Sequence, residues 1–213
     1  MKNKIYLDNA STTKIDDDIL DNVIDYIRQS YGNPSSLYKD GKEAKKIIEN
    51  ARMQVAKAIG AKENEIYFTS GGTEADNWIL KQVLNSEKKA LVTSKLEHHA
   101  ILKTAEFLSK NGVSVKYLDV DKNGKVLSDK LEKMNSGEVS LVSIMYSNNE
   151  IGTIQDIKKL AELAHEKGAI FHTDAVQALG KIDIDVKRDG IDALSLSGHK
   201  IHAFKGIGAL YVS

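Results

Sequence analysis

One lysine in this sequence lies in a setting that suits covalent chemistry. Lys200 ends the stretch Ser197-Gly198-His199-Lys200, directly after a predicted strand. A lysine near the ring and the phosphate of a ligand can have its pKa lowered from about 10.4 towards neutrality, and its amine can then form a Schiff base with a carbonyl group. Most lysines are solvated surface charges, so the residues that surround Lys200 must decide its role.

A glycine-rich turn is the second feature, and it suits a phosphate group. The stretch Ser70-Gly71-Gly72-Thr73-Glu74 follows a predicted strand at 65–68 and precedes a predicted helix at 73–84. The two glycines let the backbone approach a ligand, and the first helical amides with the Thr73 hydroxyl can bind phosphate. The GxGxxG spacing is absent, which favours a smaller phosphorylated ligand over a nicotinamide cofactor. The structural alternative is a simple turn capped by Thr73.

Two further stretches could complete a cofactor site. Asp174 follows a predicted strand at 169–173 and could pair with a helix amide, or it could hold the proton of a ring nitrogen. His98, in Glu97-His98-His99, could stack on an aromatic cofactor or be a hydrogen-bonded core histidine. Adjacent histidines do not share one face and no second cluster has suitable spacing, which disfavours metal binding. A phosphate-binding turn, an acid for a ring nitrogen, a planar side chain for stacking and an amine are together what pyridoxal phosphate (PLP) requires.

The elements that must position these residues follow an α/β pattern. Short apolar segments alternate with segments of helical period, which is typical of a mainly parallel sheet in a layered α/β domain. Strands are predicted at 65–68, 90–93, 113–118, 139–145, 169–173 and 193–196, and helices at 17–30, 44–55, 73–84 and 154–164. In such sheets ligands bind outside the carboxyl ends of the strands, where the four stretches lie.

Composition limits the classes of function. The 213 residues carry a formal net charge of zero, with 41% hydrophobic and 28% charged residues, which is typical of a globular protein and gives no sign of nucleic-acid binding. No apolar run is long enough for a bilayer and no signal peptide is visible, so a cytoplasmic location without a membrane partner is predicted. Cysteine is absent, which excludes disulfides and thiol chemistry within these residues.

Taken together, the motifs resemble those of the cysteine desulfurases of the NifS/IscS type, within the class V aminotransferase group of fold type I PLP enzymes. The stretches 6–13, 32–36, 68–77, 97–98, 148–152, 174–177 and 197–200 match in family order. The resemblance implies that residues 1–213 form an incomplete three-layer large domain, with helices on both faces of the sheet and a further strand near 206–212. It also implies that segment 1–20 lies towards a small domain, whose C-terminal part is absent here.

The resemblance further implies a role for each candidate residue. Lys200 and His98 would be catalytic: Lys200 would link covalently to PLP and later move protons on the substrate carbon, while His98 would stack on the ring. Asp174 would pair with the pyridine nitrogen, and Gln177 and Asn149 would bond to the phenolic oxygen, with Asn149 also holding the substrate carboxylate. The phosphate cradle would consist of Gly72, Thr73, Ser197 and His199.

The family reaction converts L-cysteine to L-alanine and leaves a persulfide on an enzyme cysteine, which passes sulfur to an acceptor protein or scaffold for iron–sulfur clusters, or to tRNA. It also uses an arginine for the substrate carboxylate, yet Arg28, Arg52 and Arg188 all lie outside the matching motifs. We therefore predict a truncated, homodimeric form that is inactive alone. The alternatives are a selenocysteine lyase or other class V enzyme, and a catalytically inactive PLP-binding or dimerising protein.

The loop after Lys200 departs from the family pattern. His202-Ala203-Phe204 stands where members usually have an aromatic residue, glycine and proline. The loss of one permissive and one restricted backbone position predicts a changed path for this loop and weaker PLP binding.

Overall fold

The computed structural model describes residues 5–213 and contains a seven-stranded sheet. The strand order is β1-β7-β6-β5-β4-β2-β3, and β7 alone runs opposite to the others in this sheet. The mainly parallel sheet predicted from the sequence is therefore confirmed. The strands are β1 Ile66–Thr69, β2 Ala90–Ser94, β3 Ser114–Leu118, β4 Leu141–Ser143, β5 Ile170–Asp174, β6 Ala193–Ser197 and β7 Gly208–Val212.

Helices connect most of these strands. They are α1 Asp17–Gln29, α2 Lys39–Ala58, α3 Gly72–Lys81, α4 His99–Lys110, α5 Asp129–Glu132 and α6 Ile157–Glu166. Short 3₁₀ turns occur at Glu63–Glu65, Gln82–Asn85 and Gly198–Lys200. The sequence did not predict α4 or α5. None of the helices in the described part of the chain is long and apolar enough to cross a bilayer.

The helices cover both faces of the sheet, as predicted. Alternate strand residues separate two apolar cores: Leu91 belongs to the core that contains Leu80 of α3 and Leu108 of α4. Its neighbour Val92 belongs to the other core, together with Leu160 of α6. Because successive strand residues point to opposite faces, continuous apolar strands supply both cores, and the domain has three layers.

Several predicted boundaries differ from the structure. The helix predicted at 44–55 spans Lys39–Ala58, and the helix predicted at 73–84 ends at Lys81. The helix predicted from residue 154 begins only at Ile157, because the Asp156 side chain caps it by accepting a hydrogen bond from the Lys159 amide. Ile154 instead forms an isolated β-bridge with Ser147. The strand predicted at 139–145 is shorter, although the Ile144 amide still donates to the β5 backbone.

The acidic run before α1 forms the predicted helix start. The Asp16 side chain accepts hydrogen bonds from the amides of Asp18 and Ile19, while Asp17 and Asp18 lie in the first turn. Carboxylates there stabilise the helix dipole. No residue of α1 is buried in this structure.

Candidate cofactor site at the carboxyl ends of the strands

A cavity of about 550 Å³ lies at the carboxyl ends of β5 and β6, beside the start of α3. A volume of this size suits a small organic ligand. Every residue predicted for the site contributes to the lining: Gly72, Thr73, His98, Asn149, Asp174, Gln177, Ser197, His199 and Lys200. The structure thus brings together residues that are more than 120 positions apart in the sequence.

The sheet surface below the cavity changes from apolar to polar along the strands. His172 is fully buried, and its ring nitrogens are bonded to the hydroxyls of Ser143 on β4, at 2.9 Å, and Ser195 on β6, at 3.0 Å. Burial lowers the pKa of His172 to about 3, so its ring is neutral at physiological pH. These residues support the site from below with a satisfied, uncharged network.

Asp174 ends β5 and lies at the edge of this buried surface. Its Oδ1 accepts a hydrogen bond from the Val176 amide at 2.9 Å. Burial raises the pKa of Asp174, whereas the Val176 amide and the nearby Lys200 lower it. The position, at the end of a central strand and open to the cavity, suits a carboxylate that pairs with a ring nitrogen.

A second buried acid, Asp76, was not predicted as a site residue. It lies on α3, is 1% exposed and contributes to the cavity lining. Within residues 5–213 its Oδ1 has no hydrogen-bond partner, and it lies 3.8 Å from Nε2 of His172. Burial, followed by repulsion from Asp174, raises the pKa of Asp76 well above its usual range. The sequence did contain an indication that Asp76 is buried. Asp76 shares one side of α3 with the apolar residues Ala75, Ile79 and Leu80, and a buried acid is unusual.

Lys200 reaches the same cavity from the 3₁₀ turn after β6. Its Nζ donates hydrogen bonds to the carbonyls of Ala10 and Ser11, both at 2.7 Å. Burial lowers the pKa of Lys200 and the charge of Lys181 lowers it further, although Asp174 acts in the opposite direction. The site therefore favours the neutral amine more than water does, which is what a Schiff base requires.

Residues 8–16, here called the strap, cross the mouth of the cavity. Thr13 anchors the strap, because its amide and its hydroxyl both donate to the His199 carbonyl, at 2.9 and 3.0 Å. The His202 amide in turn donates to Thr13 Oγ1 at 2.8 Å. Gln177, predicted to contact the cofactor, donates to the Ala10 carbonyl at 2.8 Å. The segment was predicted to lie towards a small domain, and here it lies against the lysine turn.

His202 explains how the unusual loop after Lys200 is held. It adopts a left-handed conformation with φ of +62°, which is uncommon for a residue other than glycine. Its Nδ1 is bonded to the Lys14 carbonyl at 3.0 Å, and the Ala203 amide returns to the Gly198 carbonyl at 3.0 Å. Despite the changes in sequence, the loop is closed and Lys200 lies in the cavity.

One end of the site has the character of a phosphate cradle. A pocket next to the cavity is lined by the start of α3, and by Ser197, His199 and Lys205. The first amides of α3 have no partners within a helix, and they point towards this pocket with the positive end of the helix dipole. Thr12 Oγ1 is bonded to His199 Nδ1 at 3.0 Å. Thr12 and Lys205 are further site residues that sequence reasoning did not assign.

Glycine allows a close approach at the start of α3. A Cβ at Gly72 would lie 2.6 Å from Cγ2 of Val176, which is closer than real contacts allow. Gly72 therefore lets α3 begin directly against the Asp174–Gln177 segment. The predicted role of this turn has a packing component as well as a phosphate-binding one.

A buried clasp positions His98 and Asn149. Oε1 of Glu97 is bonded to the Ser94 hydroxyl at 2.6 Å, and Oε2 accepts from the Met145 amide at 2.9 Å. Burial raises the pKa of Glu97 to about 8. Next to this clasp, Nδ1 of His98 accepts from the Ala100 amide at 3.1 Å and caps α4. The clasp joins the loop after β2 to the loop after β4, which carries Asn149.

The donor set fits PLP. One cavity offers an amine, a carboxylate, an imidazole and, at the other end, a helix start with hydroxyl and cationic groups. We call Asp76 and Asp174, with the buried Ser143, His172 and Ser195 next to them, the floor of the cavity. The orphaned Asp76 Oδ1 shows that this floor is incompletely satisfied by the described residues. No cluster of three or more His, Asp or Glu residues that could hold a metal ion occurs between residues 5 and 213.

Comparisons with known proteins identify the family. The class-V aminotransferase family profile matches residues 5–213. Cysteine desulfurase IscS of Clostridium botulinum (strain Kyoto / Type A2) is 48% identical over 215 residues, covering 100% of this chain and 54% of the relative. Cysteine desulfurase IscS of Methanosarcina thermophila is 50% identical over 211 residues, covering 98% of this chain and 52% of the relative. The chain thus spans about half the length of these curated relatives.

Solved structures agree with the sequence comparison. A NifS-like protein superposes with a TM-score of 0.94 at 42% identity, over 98% of this chain and 59% of that chain. SspA in complex with cysteine superposes with a TM-score of 0.92 at 37% identity, over 98% of this chain and 61% of that chain. The members of this family depend on PLP. The chain therefore belongs to the class-V aminotransferase family, as a cysteine desulfurase-like member with the large-domain fold of fold type I PLP proteins.

Proposed function

We propose that this chain is the PLP-binding large domain of a cysteine desulfurase. The observation that carries the proposal is the single cavity that Lys200, Asp174 and His98 share, with the start of α3 at its phosphate-like end. Cysteine desulfurase relatives at 48–50% identity support the same reaction class. Fold similarity alone would leave the reaction open, whereas this combination of amine, acid and cradle is what PLP chemistry requires.

Each residue would act at a defined place. PLP, when bound, supplies an electron sink for a carbanion next to the substrate amino group. Lys200 would provide the amine that links to the cofactor and would later carry a proton to or from the substrate carbon. Asp174 would keep the proton on the pyridine nitrogen, and His98 would cover one face of the ring. Asn149 would bind the substrate carboxylate and, with Gln177, the phenolic oxygen.

Sulfur transfer needs a group that these residues do not contain. The family reaction ends with a persulfide on a cysteine, and the 213 residues include no cysteine. We therefore place the thiol, and the arginine for the substrate carboxylate, in a segment outside these residues. The chain alone would bind PLP without releasing sulfide from L-cysteine.

Helix α1 has an exposed apolar side against which that further segment could pack. Ile19, Tyr26 and Ile27 of α1 are exposed, at 38%, 54% and 70%. We propose that this apolar side packs against the C-terminal small domain of a complete enzyme. A homodimer and transfer of sulfur to an acceptor protein are proposed from the family alone, and the cytoplasmic location stays a prediction.

The test is site-specific attachment of PLP. The purified chain is incubated with PLP, its visible absorbance is recorded, and borohydride reduction followed by peptide mass spectrometry locates the modified lysine. We expect modification at Lys200, loss of the visible band in Lys200→Ala, and retention of the band in Lys110→Ala, a control at an exposed lysine outside the cavity lining. Attachment at other lysines, or an unchanged band in Lys200→Ala, would contradict the proposal.

A further inference from the structure

Two carboxyl groups share the floor of the cavity. Asp174 comes from β5 and Asp76 from α3, and both are buried, with 5% and 1% of their surfaces exposed. Both also contribute to the lining of the same cavity. Two ionised carboxylates in one poorly solvated place repel each other strongly, so such a pair keeps one proton.

The surroundings decide which of the two keeps the proton. Asp174 has stabilising partners for a negative charge, because Oδ1 accepts the Val176 amide at 2.9 Å and the Lys200 ammonium lies in the same cavity. Asp76 has weaker support. Its Oδ1 has no donor within residues 5–213, and the group that lowers its pKa, the Ser195 hydroxyl, is also bonded to His172. The ring of His172, 3.8 Å away, is already bonded on both nitrogens to serine hydroxyls.

Within the described part of the chain, no charged group that acts on Asp76 favours its ionisation. Burial raises the pKa of Asp76 most, and the charge of Asp174 raises it further; the Ser195 hydroxyl lowers it, and the charge of Glu97 adds a smaller rise. Glu97 is itself a buried acid whose pKa burial raises to about 8. The titratable groups around this floor are Asp174 and His172 on β5, Glu97 and His98 between β2 and α4, and Lys200 after β6. Asp8 of the strap and Glu150 of the loop after β4 also line the cavity.

We propose that Asp76 is a positioning residue that holds a proton as a neutral carboxylic acid, and thereby leaves Asp174 as the only carboxylate on the cavity floor. Asp76 acts through Asp174 and does not itself touch the reacting atoms. A second negative charge here would push a proton onto Asp174 and remove the anion that a protonated ring nitrogen needs. This consequence for the cofactor rests on the proposed function, whereas the proton on Asp76 is a property of the chain without PLP.

Infrared spectroscopy of the PLP-free chain tests the location of the proton. A protonated carboxyl group gives a C=O stretching band that a carboxylate lacks, and difference spectra against single variants assign it. At pH 7 we expect the band to be lost in Asp76→Asn and kept in Asp174→Asn. Glu97→Gln is the control, because it removes the band of the other buried acid. A band lost in Asp174→Asn but kept in Asp76→Asn, or no band beyond that of Glu97, overturns the proposal.

A titration separates an electrostatic pair from a merely structural contact. Asp174→Asn removes the repelling charge. The Asp76 band should therefore disappear at a pH about one unit or more below that of the wild type. An unchanged midpoint overturns the pairing. Thermal unfolding of each variant verifies that the compared chains are folded.

The same variants, loaded with PLP, test the role towards the cofactor. As pH rises and Asp76 ionises, the visible band of the wild type should titrate in two steps, whereas Asp76→Asn should titrate in one. Single-step curves in both proteins overturn this role. A wild-type chain that gives no visible band with PLP contradicts the proposed function instead, and the infrared result then still decides where the proton lies.

Discussion

The floor and the strap of the cavity are built in opposite ways. The floor, formed by Asp76, Ser143, His172, Asp174 and Ser195, is at most 5% exposed at each residue. In the strap, Thr13 is buried, whereas the other residues from 8 to 16 are partly or fully exposed. The floor is held by three neighbouring strands and a helix, whereas the strap is held by a few hydrogen bonds to the lysine turn.

The two regions therefore affect the site in different ways. In the floor and in the neighbouring Glu97 clasp, burial changes the protonation of the side chains, as the pKa of about 3 for His172 and about 8 for Glu97 show. In the strap, backbone carbonyls hold the Lys200 ammonium without burying it fully. Floor substitutions should therefore affect global stability and its pH dependence, while strap substitutions should affect local opening.

The largest effect is expected from His172→Ala in the floor. The change removes a fully buried ring and leaves the hydroxyls of Ser143 and Ser195 without their partner. We expect the free energy of unfolding to fall by about 3–5 kcal/mol, measured by urea denaturation. His99→Ala, at an exposed histidine, is the control and should stay within about 0.5 kcal/mol of the wild type. Equal losses in both variants would remove the contrast between floor and surface.

Glu97→Gln should have a pH-dependent effect. The folded chain keeps the Glu97 proton up to a pKa of about 8, whereas the unfolded chain releases it near the usual value of 4.5. The wild type therefore loses stability relative to the neutral variant as pH rises from about 4.5 to about 8.

The advantage of Glu97→Gln should grow across that window to several kcal/mol, because each pH unit between the two pKa values corresponds to about 1.4 kcal/mol. Urea denaturation at pH 5, 6.5 and 8 measures it. A difference between the two proteins that does not change with pH would show that Glu97 is ionised in the folded state.

Thr13→Val should destabilise the strap locally, by less than the floor substitutions destabilise the whole chain. The hydroxyl that donates to the His199 carbonyl and accepts from the His202 amide is lost, at a cost of about 1–2 kcal/mol in strap docking. Hydrogen exchange of the Thr13 and His202 amides should accelerate about 5- to 30-fold, while exchange in β5 stays unchanged. Faster exchange in β5 as well would mean that strap and floor open together.

The smallest effect is expected from Lys14→Ala in the strap. Lys14 pairs with Asp17 at 2.7 Å, but the two side chains are 76% and 74% exposed. Exposed pairs contribute about 0–1 kcal/mol, so strap exchange and global stability should change little. A loss as large as that of Thr13→Val would show that the strap is held by charge rather than by its buried hydroxyl.

Much of the site could be predicted from the sequence, because most of its residues lie directly after strands. Lys200, Asp174 and the Gly72–Thr73 turn each follow an apolar segment, and parallel strands bring their carboxyl ends together. Asp76 was missed since it lies within a helix, where the same position could face solvent. The role of His202 was missed because its contacts join residues nearly 190 positions apart.

The sequence by itself determined the α/β class, the mainly parallel sheet and many of the residues that line the cavity, because apolar segments, turns and family motifs are written in consecutive residues. Only the tertiary structure decided the charge states and contacts within that set. Burial depends on which elements pack together, and it is burial that makes His172 neutral and raises the pKa of Asp76 beside Asp174. The strap's hold on Lys200 likewise depends on long-range hydrogen bonds that no local pattern encodes.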